Sequence, residues 1–121
     1  MTTSKEATLH VYGIKNCNTV KKALDWLTEN NKSFEFHDFK KEPATAEKLE
    51  EWEQHVPFET LVNKKGTTWR KLDKSEQESV VDAKSANKVL LENNSMIKRP
   101  IVEYKNGILV GFDEEAYKTQ L

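Results

Sequence analysis

Residues 8–39 have the sequence TLHVYGIKNCNTVKKALDWLTENNKSFEFHDF. Residues 8–14 alternate apolar and mixed side chains around Gly13, which predicts a strand followed by a turn. From Thr19 onward, apolar side chains recur at the spacing of one helix face, and Asn30-Asn31 ends the helix. That face is formed by Val20, Ala23, Leu24 and Leu27. Residues 33–39 contain three phenylalanines in an alternating pattern, which predicts a second strand.

The strand, helix and strand of this region form a predicted βαβ unit. A crossover through a helix makes its two strands parallel, and the turn from the first strand into the helix then lies at the carboxyl edge of the sheet. Binding and catalytic sites of α/β sheets tend to lie at that edge. The turn carries Cys17, so this residue becomes the first candidate for a functional site.

The region from Lys40 to Asn94 has the pattern of a helical insertion, which we place at about residues 41–95. Thr45 can begin one helix, and residues 75–78 match a capping box at the start of another. The apolar positions that mark these helices are Leu49, Trp52, Val56, Ala83, Ala86, Val89 and Leu90. Neither end has a linker rich in Pro, Gly or Ser, so we expect the insertion to pack on the sheet within a single domain of residues 1–121.

The remaining residues predict a hairpin and a last helix. Residues 101–104 and 108–111 are apolar segments on either side of Asn106-Gly107, a pair that tolerates the positive φ angles of a tight turn. Asp113 can cap a short helix that runs through Tyr117. The order βαβ, helical insertion, ββα predicts an α/β protein with a thioredoxin-like fold and a four-stranded mixed sheet.

Composition excludes several classes of protein. The 121 residues suit one domain, and no apolar run approaches the about 20 residues that span a bilayer. Nineteen Lys and Arg against 20 Asp and Glu give a net charge of -1, so no nucleic-acid or membrane partner is expected. The polar residues from Met1 to Ala7 lack the apolar segment of a signal peptide, which favours a cytoplasmic location.

Cys17 is the single cysteine, and its position favours an ionised thiol. The first turn of a helix offers unpaired N–H groups and the positive end of the helix dipole. Lys15 and Lys21 add positive charge nearby, so we expect the thiol to ionise more easily than a free cysteine. The alternative is a buried structural cysteine, which is the commonest role of a lone one.

Arg99-Pro100 precedes the predicted hairpin, and in a thioredoxin-like sheet this turn would face the turn of Cys17. Pro100 is a candidate for a cis peptide bond, which leaves nearby backbone groups free to pair with an extended ligand. Arg99 could hold an oxyanion or a carboxylate and stabilise the thiolate. The alternative is an ordinary surface turn.

Residues 63–71 form a basic loop that contains glycine and could surround an anionic substrate. A solvated loop with Trp69 packed inward explains the same residues. No metal site is expected, because His10, His37 and His55 are too widely spaced for a compact zinc motif. No bound cofactor is expected, and the sequence contains no phosphate-binding loop of the G-x-x-x-x-G-K-[ST] form.

Four separated motifs resemble those of the glutaredoxin-type arsenate reductase family, the ArsC/Spx family, in its small YffB-like branch. The motifs are residues 12–23 (YGIKNCNTVKKA), 65–72 (KGTTWRKL), 97–101 (IKRPI) and 110–112 (VGF). The resemblance covers nearly the whole chain. It implies a thioredoxin-like fold with a helical insertion, Cys17 as the nucleophile, Arg99 as its anion-binding partner and Pro100 in cis.

The resemblance and the single cysteine together predict a thiol reductase that uses glutathione as co-substrate. Cys17 would attack a disulfide sulfur or an arsenic-like oxyanion, and external glutathione would resolve the intermediate. The predicted substrate and glutathione contacts are Asn16, Asn18, Thr19, Arg70 and Pro100. Arsenate reductases carry further arginines where this chain has Asn63 and Phe112, which weighs against arsenate as the substrate.

A second hypothesis is a regulator without catalysis that, like Spx, binds the RNA polymerase α subunit. Spx proteins usually have a second cysteine three residues after the first, where this chain has Val20. Because one cysteine cannot form an internal disulfide, a redox switch within one chain is excluded. We expect a monomer under either hypothesis.

Overall fold

The structure is a computed structural model that describes residues 8–121. These residues form two compact units. One unit consists of the chain up to Glu42 together with Arg99–Leu121, and the other is Pro43–Lys98. The second unit extends over the helical insertion predicted at residues 41–95. Its packing against the sheet, and the description of the whole chain as a single domain, stay predictions.

The first unit contains a four-stranded mixed sheet with the strand order β2-β1-β3-β4. Its elements are β1 (Leu9–Gly13), α1 (Asn18–Glu29), β2 (Phe34–Asp38), β3 (Ile101–Tyr104), β4 (Gly107–Val110) and α7 (Glu114–Gln120). β1 is parallel to β2 and antiparallel to β3, and β4 is antiparallel to β3. The predicted βαβ unit and the thioredoxin-like mixed sheet are therefore confirmed.

A hydrophobic core of this unit lies on the face of the sheet to which Leu9, Val11 and Val102 point. Buried strand and helix residues pack together there, namely Leu9, Val11, Ala23, Trp26, Leu27, Val102 and Tyr117. Burial of each large apolar side chain contributes about 1.5–3 kcal/mol. Tyr117 packs edge-on against Trp26, with ring centroids 5.4 Å apart, and its hydroxyl donates to the carbonyl of Gly111 at 2.8 Å.

The second unit is helical. It contains α2 (Ala46–Glu53), α3 (Phe58–Leu61), α4 (Thr67–Lys71), α5 (Lys74–Glu78), α6 (Ala83–Glu92) and a short 3-10 helix (Asn94–Met96). Thr45 caps α2 as predicted, since its hydroxyl accepts from the backbone N–H of Lys48. α2 ends before Val56, which the sequence had placed on the same helix.

The predicted capping box at residues 75–78 is wrong. α5 begins after Asp73, whose carboxylate accepts from the N–H of Glu76 and from the hydroxyl of Ser75, both at 2.8 Å. A carboxylate two residues earlier therefore takes the role that was assigned to Ser75. The capping box of this unit precedes α6 and is formed by Asp82 and Ser85.

The predicted hairpin is present, but its turn is shifted by one residue. Tyr104 pairs with Gly107, so the loop consists of Lys105 and Asn106, not of Asn106-Gly107. The register that pairs Ile101 with Val110 leaves only these two residues between the strands. The last helix follows as expected, because the carboxylate of Asp113 accepts from the N–H of Glu115 at 3.1 Å. Every helix within residues 8–121 is too short or too polar to cross a bilayer.

Candidate active site

Cys17 occupies the N-cap position of α1, directly after the turn that leaves β1. This turn requires a close approach between strand and helix. A Cβ atom on Gly13 would lie 2.8 Å from Cγ2 of Val20, which is fully buried. Glycine at the end of β1 therefore allows the first turn of α1 to approach the sheet. Cys17 itself is half-buried, so its sulfur is not in the apolar interior.

Arg99 reaches the sulfur from the neighbouring strand. β3 is antiparallel to β1 with Tyr12 opposite Ile101, so the chain that enters β3 lies at the edge where the chain leaves β1. The half-buried side chain of Arg99 forms a hydrogen bond with Cys17. The Arg99–Pro100 peptide bond is cis, as predicted from the sequence. The carbonyl of Pro100 accepts from the N–H of Gly111 at 2.7 Å, which joins this turn to the end of β4.

The electrostatic environment favours the thiolate of Cys17. Partial burial raises the pKa of the thiol, because desolvation disfavours the charged form. The N–H of Val20, the hydrogen bond and charge of Arg99, and the N–H of Thr19 act in the opposite direction. Together they hold the pKa of Cys17 below its ordinary value. The two N–H groups are those of the second and third residues of α1, and such unpaired groups at the start of a helix point toward the N-cap position that Cys17 occupies.

The sequence attributed part of this effect to Lys15 and Lys21. Both lysines are exposed, and solvent and salt screen such charges. The groups that lower the thiol pKa are instead Arg99 and the backbone of the first turn of α1. Of the other residues predicted to contact substrate, Asn16 and Asn18 flank Cys17 and are exposed.

Arg70 belongs to the helical unit. It lies on α4 and is exposed, and its guanidinium donates to the carbonyl of Lys65 at 3.1 Å. Trp69 is half-buried, and the ammonium group of Lys64 lies 5.3 Å from its ring centroid. These contacts are local to the basic loop. The assignment of Arg70 to a substrate site stays a prediction.

The spacing of the histidines along the sequence was a poor guide to their positions in space. His10 and His37 are 27 residues apart, yet Nδ1 of His10 lies 3.0 Å from Nε2 of His37. Glu35 adds a carboxylate, and the ligand atoms of the three residues lie within 4.8 Å of one another. The parallel pairing of β1 and β2 produces this cluster, and the alternation of both strands was the signal that could have revealed it.

Comparison with known proteins supports the resemblance. The model of the ArsC family matches residues 12–120. An uncharacterised protein of Haemophilus influenzae is 44% identical over 89% of this chain and 94% of its own length.

Two solved structures are similar throughout. The protein YffB is 40% identical, with a TM-score of 0.88 over 93% of this chain and 98% of its own. An arsenate reductase (ArsC) related protein from Brucella melitensis is 42% identical, with a TM-score of 0.74 over 93% of each chain. Because the family model spans most of the chain and relatives at this level of identity cover it almost completely, the protein belongs to the ArsC family, in its YffB-like branch.

Proposed function

We propose that this protein is a glutathione-dependent thiol reductase in which Cys17 is the nucleophile and Arg99 stabilises its thiolate. The observation that carries the proposal is the environment of the sulfur, which is half-buried at the N-cap of α1, where Arg99 and the N–H groups of Val20 and Thr19 lower its pKa. A thiolate that is reachable from solvent is the form of cysteine that attacks disulfides. Membership of the ArsC family agrees with thiol chemistry of this type.

The proposed reaction has two exchanges. The Cys17 thiolate attacks the glutathionyl sulfur of a mixed disulfide, the substrate leaves as a thiolate that takes a proton from solvent, and Cys17 becomes disulfide-bonded to glutathione. A second glutathione, as thiolate, then attacks the glutathionyl sulfur of this intermediate. Oxidised glutathione leaves and the Cys17 thiolate is regenerated. The net reaction converts the mixed disulfide and one reduced glutathione into the free substrate thiol and oxidised glutathione, so the substrate sulfur is reduced while the sulfur of the second glutathione is oxidised.

Arg99 has two roles in this scheme. Its positive charge and hydrogen bond favour the thiolate of Cys17 as attacking group and again as leaving group in the second exchange. Its planar guanidinium also suits a carboxylate, and glutathione carries two.

A disulfide suits this chain better than arsenate does. An arsenate oxyanion carries up to two negative charges near neutral pH on one compact centre and requires correspondingly more positive groups around it. By the resemblance to arsenate reductases, Asn63 and Phe112 stand where those enzymes carry further arginines. Phe112 packs edge-on against Tyr117, with ring centroids 5.0 Å apart, and the side chain of Asn63 accepts from the N–H of Lys65 at 3.2 Å. Neither residue supplies charge.

The test measures both exchanges. The protein is incubated with oxidised glutathione and its intact mass is recorded, with Cys17→Ser as the matched control. We expect one glutathionyl group on the wild type, none on the variant, and its release by reduced glutathione. Turnover is then followed with the mixed disulfide of glutathione and 2-mercaptoethanol, coupled to glutathione reductase and NADPH.

The proposal is contradicted if Cys17 forms no adduct and its thiol titrates at or above the pKa of a free cysteine. An adduct that reduced glutathione does not release would contradict the second exchange. In that case Cys17 would be a reactive thiol without the proposed turnover.

A further inference from the structure

Two histidines and one glutamate meet on the face of the sheet opposite the core of the first unit. His10 on β1 pairs with Glu35 on β2, and His37 follows two residues later on the same face. Nδ1 of His10 lies 3.5 Å from Oε2 of Glu35, which lies 3.9 Å from Nε2 of His37. We propose that His10, Glu35 and His37 bind a divalent transition-metal ion of the zinc type.

The distances fit the coordination shell of such an ion. Imidazole nitrogen and carboxylate oxygen bind zinc at about 2.0–2.2 Å, so neighbouring ligand atoms in a tetrahedral shell are roughly 3.3–3.6 Å apart. The three separations here are 3.0, 3.5 and 3.9 Å. Each differs from the tetrahedral value by only a fraction of an ångström. Small rotations of the side chains bring all three atoms to one ion without movement of the strands.

The charges of the cluster also favour a cation. Nδ1 of His10 and Nε2 of His37 are 3.0 Å apart beside the carboxylate of Glu35, and in a pair of neutral imidazoles only one of these two nitrogens can carry the proton of a hydrogen bond between them. Two neutral imidazoles and one carboxylate carry a net negative charge. A divalent cation neutralises this charge and satisfies both nitrogen lone pairs at once.

A second carboxylate holds His37 in the tautomer that binding requires. Oε1 of Glu42 lies 3.4 Å from Nδ1 of His37. When Nδ1 keeps its proton and donates to Glu42, Nε2 presents its lone pair to the cluster. Carboxylates behind metal-binding histidines act in this way in known sites. The ring of Tyr12 stacks on His37 with centroids 4.5 Å apart, which restricts the orientation of the imidazole.

The cluster is open to solvent. The side chains of His10, Glu35 and His37 are 40%, 62% and 21% exposed, so an ion can enter and water can fill the remaining positions. The ligand set contains no sulfur. Imidazole with carboxylate suits Zn²⁺, Ni²⁺ or Cu²⁺ better than Mg²⁺ or Ca²⁺, which prefer oxygen alone.

Calorimetric titration with Zn²⁺ tests the site. The Cys17→Ser protein is used, so that the thiol cannot bind the ion. We expect one ion per chain, and we expect His10→Gln and His37→Gln each to weaken binding about tenfold or more. His55→Gln is the matched control, because His55 is an exposed residue of the helical unit. This variant should bind Zn²⁺ with the same affinity as the parent protein.

Glu42→Gln separates positioning from ligation. It should weaken Zn²⁺ binding less than His37→Gln does, because Glu42 acts through His37 and is itself 70% exposed. Glu35→Gln removes a ligand on the surface of a strand and provides a further test if a histidine variant does not fold. Nitrogen-15 NMR of the parent protein needs no variant, and addition of Zn²⁺ should shift Nδ1 of His10 and Nε2 of His37 but neither nitrogen of His55.

The proposal is overturned if calorimetry detects no binding of Zn²⁺ when protein and ion are both at micromolar concentration. It is equally overturned if both histidine variants keep the parent affinity, or if the NMR shifts occur at His55 only. Thiol exchange at Cys17 is measured by a different assay, so failure of the metal site and failure of the proposed reductase function are distinguishable.

Discussion

The two candidate sites of this protein use the same strand in opposite ways. Beyond the carboxyl end of β1, Cys17 lies among positive groups, namely Arg99 and the N–H groups at the start of α1. On the other face of β1 from the core, His10 lies beside Glu35 and His37. Two imidazole nitrogens and one carboxylate oxygen converge there. The first arrangement stabilises an anion and the second attracts a cation. A strand end and a strand face can therefore carry different chemistry a few residues apart.

The largest effect is expected from substitution of Gly13, the last residue of β1. Both candidate sites depend on this strand. In Gly13→Ala the new Cβ would lie 2.8 Å from Cγ2 of Val20, a buried and β-branched side chain that cannot easily move. We expect a loss of about 1–3 kcal/mol in the free energy of unfolding, measured by chemical denaturation.

The double variant Gly13→Ala/Val20→Ala provides the control, because it removes the atom that the new Cβ meets. The loss of unfolding free energy in the double variant should be smaller than the sum of the losses in the two single variants. Full additivity would show that the contact between the new Cβ and Val20 is not the cause. A matching fall in Zn²⁺ affinity would mean that the two sites are coupled through β1. Loss of thiol reactivity alone would mean that only the approach of α1 is disturbed.

The next effect concerns the positive environment of Cys17. Arg99→Met keeps an extended side chain but removes the charge and the hydrogen bond, so the pKa of Cys17 should rise. We expect alkylation by iodoacetamide at neutral pH to slow by about tenfold, since the thiolate is the reactive form. The midpoint of the rate against pH should move upward in the same variant.

Lys98→Met serves as the control, because it removes the positive charge next to Arg99 in the sequence. Lys98 is exposed, so its removal should change the midpoint less than Arg99→Met does. Equal effects of the two variants would show that general positive charge, and not the Arg99 contact, lowers the pKa of Cys17.

The smallest effect is the dependence of stability on pH. The pKa of Cys17 is lower in the folded protein than in the unfolded chain, so its contribution is fully present above the unfolded pKa. This contribution is lost as pH falls through the folded pKa. We therefore compare the free energies of unfolding of the wild type and Cys17→Ser. The difference in favour of the wild type should be larger above the pKa of the unfolded thiol than below the pKa of the folded one. An unchanged difference would contradict a lowered thiol pKa in the fold.

Local patterns made much of the fold predictable. The alternation in β1 and the apolar stripe of α1 predicted both elements, because each depends on hydrogen bonding and burial over a few residues. The same reasoning placed Cys17 at the start of a helix. Phe39 shows the limit of this reasoning. The alternating phenylalanines placed it in the second strand, whereas β2 ends at Asp38.

The details that were missed depend on competition between neighbouring groups. Asp73 takes the capping role assigned to Ser75, and the register of β3 with β4 moves the hairpin turn by one residue. At the start of α5 both Asp73 and Ser75 satisfy the local capping rule, whereas at the hairpin the local rule favours Asn106-Gly107 over the observed Lys105-Asn106. The choice between them is made by the hydrogen bonds that the whole unit can form at once.

The amino-acid sequence alone determined the order of strands and helices, the lone thiol at a helix start and the motifs of the ArsC family. The tertiary structure decided which distant atoms meet. Arg99 reaches Cys17 because β3 lies beside β1, and His10 meets His37 because β1 and β2 are paired in parallel with one particular register. Strand order and register depend on burial across the whole sheet, whereas periodicity along the chain reports only each residue's near neighbours.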